Sequence, residues 1–352
     1  MKTLLRLLLQ SQHQRNRSGP AQTDKGMTLV ELLVGAIMAF LIITPMLGFV
    51  VDMLNTDRRE QVKSTTEQDI QAAVDFIAQD LSQAIYIYDN NPVTTSTATT
   101  TATGIPALLA GKFIPLPDTT RTPILVFWKR RQIKNAVPVK ATTTKPENCG
   151  PGECNDAYVL SLVAYYQVND QQNTWCQPSG NPCPTRIARY EISEGVKDPS
   201  SPDPDNPYYY APETNEYAPH KAFNKKFDIS KPTENVTIPN EDWGIPQVLV
   251  NYIDHSKKDI DPEECQKALG KPTTQTGTTT ALIDEKTLKV TDPANINTFY
   301  ACVDTARNIA RVTIRGNSLR RLQPSDTDYK VEKSAYFPTA SVQVQGLGAR
   351  GK

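Results

Sequence analysis

The sequence predicts an α+β fold in which one long N-terminal helix, with a membrane half and an amphipathic half, packs on a mostly antiparallel β-sheet with long loop insertions. Three observations predict it. An uncharged run extends from Leu32 to Val51, the apolar residues after it recur at helical spacing, and the rest of the chain holds short β-branched segments between Thr-rich and Pro-rich stretches. The predicted divisions are residues 1–26 as a leader, 27–89 as the helix with its transmembrane part at 29–51, and 90–352 as a β-rich globular domain.

The leader is basic. It carries Lys2, Arg6, Arg15, Arg17 and Lys25 against Asp24. Because basic flanks stay in the cytoplasm, we expect a single-pass protein of the inner membrane with its C-terminal domain in the periplasm. The whole chain has a net charge of +0, and nothing in its charge suggests a nucleic acid as a partner.

The uncharged run is long enough to span a bilayer. Its helical rise gives roughly 30 Å, about one hydrocarbon thickness. Pro45 and Gly48 lie within it. Proline removes a backbone hydrogen bond and glycine adds backbone freedom, so we expect the helix to be weakened there.

Glu31 is the unusual residue, because it directly precedes the apolar run. A carboxylate at the bilayer centre costs about 2.5 to 3.5 kcal/mol, so an acid near this depth needs a partner. If the chain were cut between Gly26 and Met27, the free amine of Met27 could neutralise Glu31 of its own chain or of a neighbour. The second pairing would make burial beside another copy favourable.

The segment Gly26-Met27-Thr28-Leu29-Val30-Glu31 resembles the processing site of type IV prepilins and type II secretion pseudopilins. The chain has Met27 where Phe is usual, and its leader is long. The resemblance implies that a prepilin peptidase cleaves after Gly26 and methylates Met27, and that Glu31 directs assembly. Its implied partners are other pilins or pseudopilins, through the helix, and an inner-membrane assembly platform. In this family a helix-breaking residue, here Pro45 or Gly48, allows the helix to melt locally when the subunit leaves the bilayer for the fibre. A simple kink in the helix is the alternative.

Beyond Asp52 the helical pattern continues to an expected end near Asp89, at Asn90-Asn91-Pro92. One apolar stripe comprises Ile70, Ala73, Val74, Ile77, Leu81, Ala84, Ile85 and Tyr88. The face expected to meet water comprises Asp69, Gln71, Asp75, Gln79, Asp80 and Gln83. We expect the stripe to cover the dry face of the sheet, with a coiled coil as the alternative.

The strand candidates all follow the helix. They are Pro123–Trp128, Ala157–Val168, Arg186–Ser193, Gln247–Ile253, Arg311–Arg315 and Ser341–Gln345. The low-complexity tracts Thr94–Thr103 and Thr273–Thr280 are expected to be surface loops. Pro199–Pro219 is expected to be an irregular insertion. Its Asp203, Asp205 and Asn206 could ligate calcium, although the full ligand spacing of a calcium loop is missing. Its Tyr208 to Tyr210 could stack on sugars.

Six cysteines fall after the membrane run. They are Cys149, Cys154, Cys176, Cys183, Cys265 and Cys302. An even number confined to the exported part indicates disulfides, and we expect neighbours to pair in that order. Zinc is the alternative, but Cys-x-x-Cys pairs and nearby His residues are missing, so no metal site or cofactor is expected.

No catalytic motif stands out. The histidines after the leader are His220 and His255, each expected to be a solvated loop residue, and the sequence holds no phosphate loop, Gly-x-Ser-x-Gly or His-Glu-x-x-His. The chain is therefore expected not to be an enzyme.

A closer resemblance rests on three segments, 75–89, 187–192 and 310–321. They are similar to the hormogonium polysaccharide secretion pseudopilins of filamentous cyanobacteria, which resemble the J-type minor pseudopilin of type II secretion. The implied role is a minor subunit supporting polysaccharide secretion and gliding motility, with exported polysaccharide as a further partner. Two alternatives are an adhesive minor pilin or a J-type subunit of protein secretion. A signal-anchored periplasmic enzyme is a more distant one.

Overall fold

The computed structural model describes residues 28–94, 121–139, 152–169, 173–176, 183–197, 246–257, 259–276, 278–291 and 296–348. The helices are α1 (Leu29–Ser82), α2 (Asn90–Thr94), α3 (Asn173–Cys176), α4 (Glu264–Ala268), α5 (Glu285–Leu288), α6 (Leu319–Leu322) and a 3-10 helix (Val331–Tyr336). The strands are β1 (Ala84–Ile87), β2 (Arg121–Pro138), β3 (Cys154–Val168), β4 (Thr185–Ser193), β5 (Gln247–Ile253), β6 (Thr273–Thr276), β7 (Thr279–Leu282), β8 (Lys289–Val290), β9 (Phe299–Asp304), β10 (Ile309–Arg315) and β11 (Thr339–Gln345).

The fold is α+β, with a long apolar helix near the N-terminus and antiparallel sheets. One sheet has the order β1-β2-β3-β4-β5, a second has the order β11-β10-β9-β8, and β6 and β7 form a separate two-stranded ribbon. The described residues fall into two units that divide between Arg58 and Arg59, within α1. The part of α1 from Arg59 onward belongs to the unit that holds the sheets.

Helix α1 ends earlier than predicted. It stops at Ser82, and Ala84–Ile87 instead form β1, paired antiparallel with β2. Spacings of three and four continue across this point, but Ile85-Tyr86-Ile87-Tyr88 is also a run of β-branched and aromatic residues suited to a strand. The segment Asn90-Asn91-Pro92, expected to end α1, lies instead within the short helix α2.

The predicted stripe is confirmed where α1 is helical. Ile70, Ala73, Val74, Ile77 and Leu81 are all buried, and they share one core with residues of both larger sheets. The water-facing set was wrong at one position, because Asp80 is buried.

All six predicted strands are present, several of them longer than expected. The prediction missed β1, β8 and β9, and it treated β6 and β7 as a loop. The tract Thr273–Thr280 is thus largely a hairpin, because threonine is a good strand former even in a low-complexity sequence. The tract Thr94–Thr103 lies outside the described residues, apart from Thr94 at the end of α2.

The second sheet has buried side chains on both of its faces. Val312 and Ile314 of β10 point into the main core, with Val342 and Val344 of β11 packed beside them. The polar neighbour Arg315 of β10 is buried as well, and it is ion-paired with Asp254.

Strand β9 separates two cores. Its alternate residues Phe299, Ala301 and Val303 belong to the main core. Tyr300 and Cys302 point the other way, into a small core under α4 and α5 that is completed by Cys265, Leu269 and Leu288. A disulfide joins Cys265 to Cys302, and it ties this small core to the sheet.

A second disulfide joins Cys176 to Cys183. Both described pairs match the predicted neighbour pairing. Cys154 is also disulfide-bonded, while Cys149 lies outside the described residues.

The free edge of β1 is covered by side chains of the second sheet. The Ala84 carbonyl accepts a hydrogen bond from Asn308 Nδ2 at 3.0 Å, and the Ile87 carbonyl accepts one from Thr305 Oγ1 at 3.0 Å. Gly346 donates its N–H to the Asn308 carbonyl, at a place where a Cβ would collide with the Ala84 carbonyl. The turn between β9 and β10 thereby fastens the two sheets together.

Candidate assembly helix and its anchorage

The candidate site begins at the first turn of α1. The Thr28 hydroxyl accepts a hydrogen bond from the Glu31 N–H at 3.3 Å, and the Thr28 carbonyl accepts one from the Leu32 N–H. Thr28 is therefore the N-cap of α1, and Glu31 is its third residue. The predicted cleavage residues Gly26 and Met27 lie outside the described residues.

The position of Glu31 at the start of the helix offsets only part of the free energy that burial of its charge costs. A carboxylate in the first turn of a helix gains about 0.3 to 1 kcal/mol from the helix dipole. Burial of the same group in lipid or among apolar helices costs about 2.5 to 3.5 kcal/mol. The helix end alone does not offset this, so a burial site for Glu31 needs a cation.

No part of the chain that the structure describes covers the apolar half of α1. Its large apolar side chains are all exposed, among them Leu32, Phe40, Ile42 and Phe49, the last with 72% of its surface accessible. This is the one helix in the described part of the chain that is long and apolar enough to cross a membrane. Its length and position are consistent with a single-pass anchor.

The helix runs unbroken through Pro45 and Gly48. The Thr44 hydroxyl donates a hydrogen bond to the Phe40 carbonyl at 2.8 Å, a bond to the preceding turn of the kind that bends helices. Pro45 lacks an N–H, so the turn before it has one backbone bond fewer. Melting of this segment stays a prediction.

The other half of α1 is held to the first sheet by a buried charge network. Asp80 Oδ1 lies 2.7 Å from Lys129 Nζ on β2, and Asp80 Oδ2 lies 2.7 Å from Arg189 Nε on β4. The Tyr165 hydroxyl on β3 donates to the same Oδ2 at 2.7 Å. One helix carboxylate thus binds three strands.

Glu191 completes what we call the charge network, namely Asp80, Lys129, Arg189, Glu191 and Tyr165. Its carboxylate lies 2.6 Å from Arg189 Nη2 and 3.3 Å from Lys129 Nζ. Within the network two acids face two bases, and Glu191 also lies 3.9 Å from the partly exposed Arg131. Removal of one charged member leaves an uncompensated buried charge, which typically costs about 3 to 5 kcal/mol.

The charge network lowers the pKa of its two carboxyl groups and raises the pKa of Tyr165. Burial by itself raises the pKa of the Asp80 carboxyl, but the hydrogen bonds and charges of Arg189 and Lys129 outweigh burial, and the net pKa is lowered. The pKa of Glu191 is lowered in the same way. Burial and the nearby Asp80 charge raise the pKa of Tyr165, so this residue stays a hydroxyl donor.

A second set of contacts fixes the preceding part of the same helix. Asp69 is ion-paired with Arg321, whose guanidinium stacks 4.5 Å from the ring centre of Tyr252. Gly316 lies directly against Ile70, where a Cβ would approach Ile70 Cγ1 to 2.9 Å. Both contacts come from the segment after β10, so β10 and the loop after it position α1 along the domain.

His255 is not the solvated loop residue that was predicted. Its ring is half-buried, with Nε2 at 2.9 Å from Arg320 Nη2 and at 3.3 Å from Asp328 Oδ1. Burial and the Arg320 charge lower its pKa. Its neighbour Ser256 lies with its hydroxyl oxygen 2.7 Å from both carboxylate oxygens of Asp254, which is also ion-paired with Arg315. His220 lies outside the described residues.

The insertion Pro199–Pro219, with its calcium candidates Asp203, Asp205 and Asn206, falls outside the described ranges. Within those ranges, no group of three or more His, Cys, Asp or Glu side chains is placed to hold a metal ion.

Two features of the site were missed in the sequence. The Thr28 cap had a signal, because Thr-x-x-Glu before an apolar run is the capping-box pattern. The partners of Asp80 had none, since they come from three strands distant along the chain.

In comparisons with known proteins, no family model, curated protein or solved structure matches the chain.

Proposed function

We propose that this chain is a minor pseudopilin subunit of a type IV pilus-like or type II secretion-like fibre. It is anchored by α1 in the inner membrane and is inserted into the fibre after a prepilin peptidase cleaves between Gly26 and Met27 and methylates the new amine. The fibre supports polysaccharide secretion and gliding motility. The protein acts by assembly and is not an enzyme.

The observation that carries this proposal is Glu31 in the capped first turn of an apolar helix. The exposed apolar surface of α1 requires lipid before assembly, or neighbouring helices after it. In either setting the carboxylate at its start needs a cation. A Met27 amine on an adjoining subunit provides a cation that exists only after cleavage, so assembly depends on processing.

The buried charge network supports the same role. A subunit drawn out of a membrane by its helix transmits force to its domain, and this chain fastens α1 to three strands through Asp80. The broad sheet domain with its insertions suits a subunit present in few copies, because it is difficult to repeat along a shaft. This favours a minor subunit that starts assembly or engages cargo.

Glu31→Ala tests the proposal. The variant should still be cleaved, but it should be missing from fibres sheared from the cell, because no carboxylate remains to pair with the neighbouring amine. Glu60→Ala is the matched control, since Glu60 is an exposed acid of the same helix that pairs with Lys63. Normal fibre incorporation of Glu31→Ala would contradict the proposal.

Deletion of the gene tests the cargo. Loss of exported polysaccharide is expected if the fibre serves polysaccharide export. Intact secretion with lost surface attachment would instead support the adhesive alternative.

A further inference from the structure

The short helix α6 connects the end of β5 to α1 through two neighbouring arginines. Arg321 is ion-paired with Asp69 of α1. Arg320 contacts the ring of His255, which follows β5, with its Nη2 at 2.9 Å from Nε2 and at 3.2 Å from Nδ1. Because the two arginines lie on one helical turn, the protonation state of His255 is coupled to the contact with α1.

The contact between Arg320 and His255 requires a neutral imidazole. A guanidinium has only donors, so the ring nitrogen that accepts from it must supply a lone pair. A protonated imidazole has two N–H donors and no acceptor. It would also place a second cation against the buried Arg320. Protonation of His255 therefore replaces a hydrogen bond with a repulsion.

The other charged groups around His255 do not remove this repulsion. The Asp328 carboxylate, 3.3 Å from Nε2, attracts a protonated ring, but its side chain is 70% exposed and water screens it. Asp254 is buried, and it is already ion-paired with Arg315 at 2.5 Å. Burial and the Arg320 charge together lower the pKa of His255.

The end of β5 is held in a strained conformation by the same segment. Tyr252 has a φ of 60°, a left-handed conformation that is unfavourable for a bulky residue. Its ring stacks 4.5 Å from the Arg321 guanidinium, and its carbonyl accepts a hydrogen bond from the Asn317 N–H. Relief of this strain favours separation of the two segments once their contacts weaken.

We infer that His255 is an acid-sensitive switch for α6: the neutral ring holds α6 between β5 and α1, and protonation opens α6 and releases Asp69. Because the folded state favours the neutral ring, this contribution to stability is present above the unfolded pKa of about 6.5 and is lost as the pH falls towards the lower folded value. The charge network at Asp80 is lost only below about pH 4. Between these limits α6 should open while the first sheet still holds α1.

Hydrogen exchange of the full chain in detergent tests this switch. The reporters are the amides of Arg321 and Gln323, which donate to the carbonyls of Ser318 and Leu319. After correction for the intrinsic exchange rate, their opening should increase about tenfold or more between about pH 7.5 and about pH 5, because a like charge is brought against Arg320. Residues 161–166 of β3, beside the charge network, should keep their protection. Equal opening of α6 at the two pH values would overturn the inference.

Two substitutions provide the second measurement. His255→Gln keeps an oxygen that can accept from Arg320 but does not protonate, so α6 should stay closed at both pH values. His220→Gln, at the other histidine after the leader, is the matched control and should open as the wild type does. Persistent acid opening in His255→Gln would refute the switch.

Asp328→Asn keeps the switch itself and changes an exposed residue. The lost carboxylate attracts the protonated ring in the closed state, so the rise in opening should continue to a lower pH than in the wild type. A rise that ends at a higher pH would contradict the role given to His255.

The switch goes beyond the proposed function and does not depend on it. Acid opening of α6 should be the same in Glu31→Ala and in the uncleaved chain. An uncut leader would therefore contradict the fibre role and leave the exchange measurement standing.

Discussion

At the scale of single residues, Asp80 connects α1 to three strands of the first sheet. Its two carboxylate oxygens bind Lys129, Arg189 and Tyr165, and these partners belong to three neighbouring strands. A hydrophobic stripe alone allows a helix to slide or rotate by small steps on a sheet. A buried carboxylate with three fixed partners permits one position, so Asp80 sets the register of α1 on the domain.

The sequence could not have placed Asp80 correctly. Helical periodicity assigns a charged residue to the water-facing side, which was right for Gln71 and Asp75 and wrong for Asp80. Its burial depends on Lys129 and Arg189, which lie 49 and 109 residues away. In contrast, the position of Glu31 could be predicted, because its surroundings are local: a cap, a first turn and an apolar run.

Asp80→Asn should destabilise the globular unit by about 3 kcal/mol or more, because Lys129 and Arg189 lose half of their buried counter-charge. Urea unfolding followed by the fluorescence of buried Trp128 measures this change. The matched control is Asp326→Asn, since Asp326 is an exposed acid paired with Lys330. An exposed pair of this kind contributes little to the free energy of unfolding, because water screens its charges. Equal effects of the two substitutions would contradict the role given to Asp80.

The network also predicts an acid-sensitive stability. The folded-state pKa values of Asp80 and Glu191 are lowered, so their contribution is fully present above about pH 4, near their unfolded values, and is lost as the pH falls through the folded values. The free energy of unfolding should therefore decrease with acidification below about pH 4. This dependence should be weaker in Asp80→Asn. An identical acid dependence in the wild type and the variant would show that other carboxylates control it.

At the scale of elements, the local sequence pattern does not determine where α1 ends. Residues 84–88 continue the apolar spacing of a helix, but most of them are also β-branched or aromatic residues, which favour a strand. Pairing with β2 and the capping of two β1 carbonyls by Thr305 and Asn308 favour the strand. Such long-range contacts cannot be derived from the segment itself, whereas Gln247–Ile253 was predicted with its observed bounds because its pattern has a single interpretation.

The two described disulfides should differ in their effect on stability. The Cys265–Cys302 bond spans 37 residues and the Cys176–Cys183 bond spans 7. Loop-closure entropy gives about 4 kcal/mol for the longer loop and about 2.5 kcal/mol for the shorter. Removal of Cys265 and Cys302 together by alanine should therefore lower the unfolding free energy more than removal of the other pair. The reverse order in urea titrations would contradict this.

At the scale of the whole molecule, α1 serves two environments. Up to Arg58 its apolar side chains are exposed, and from Arg59 onward it belongs to the globular unit. The same helix thus offers a surface that requires lipid or other helices and a surface already occupied by its own sheets. Under the proposed function, the subunit would exchange lipid for neighbouring helices around this half of α1 while its domain stays folded.

The mass of the mature N-terminus in assembled material tests this account most directly. Protein isolated from fibres should begin at Met27 and carry one methyl group on its amine, because the pairing with Glu31 requires the amine that cleavage creates. Fibres containing the chain with residues 1–26 still attached would contradict the central claim.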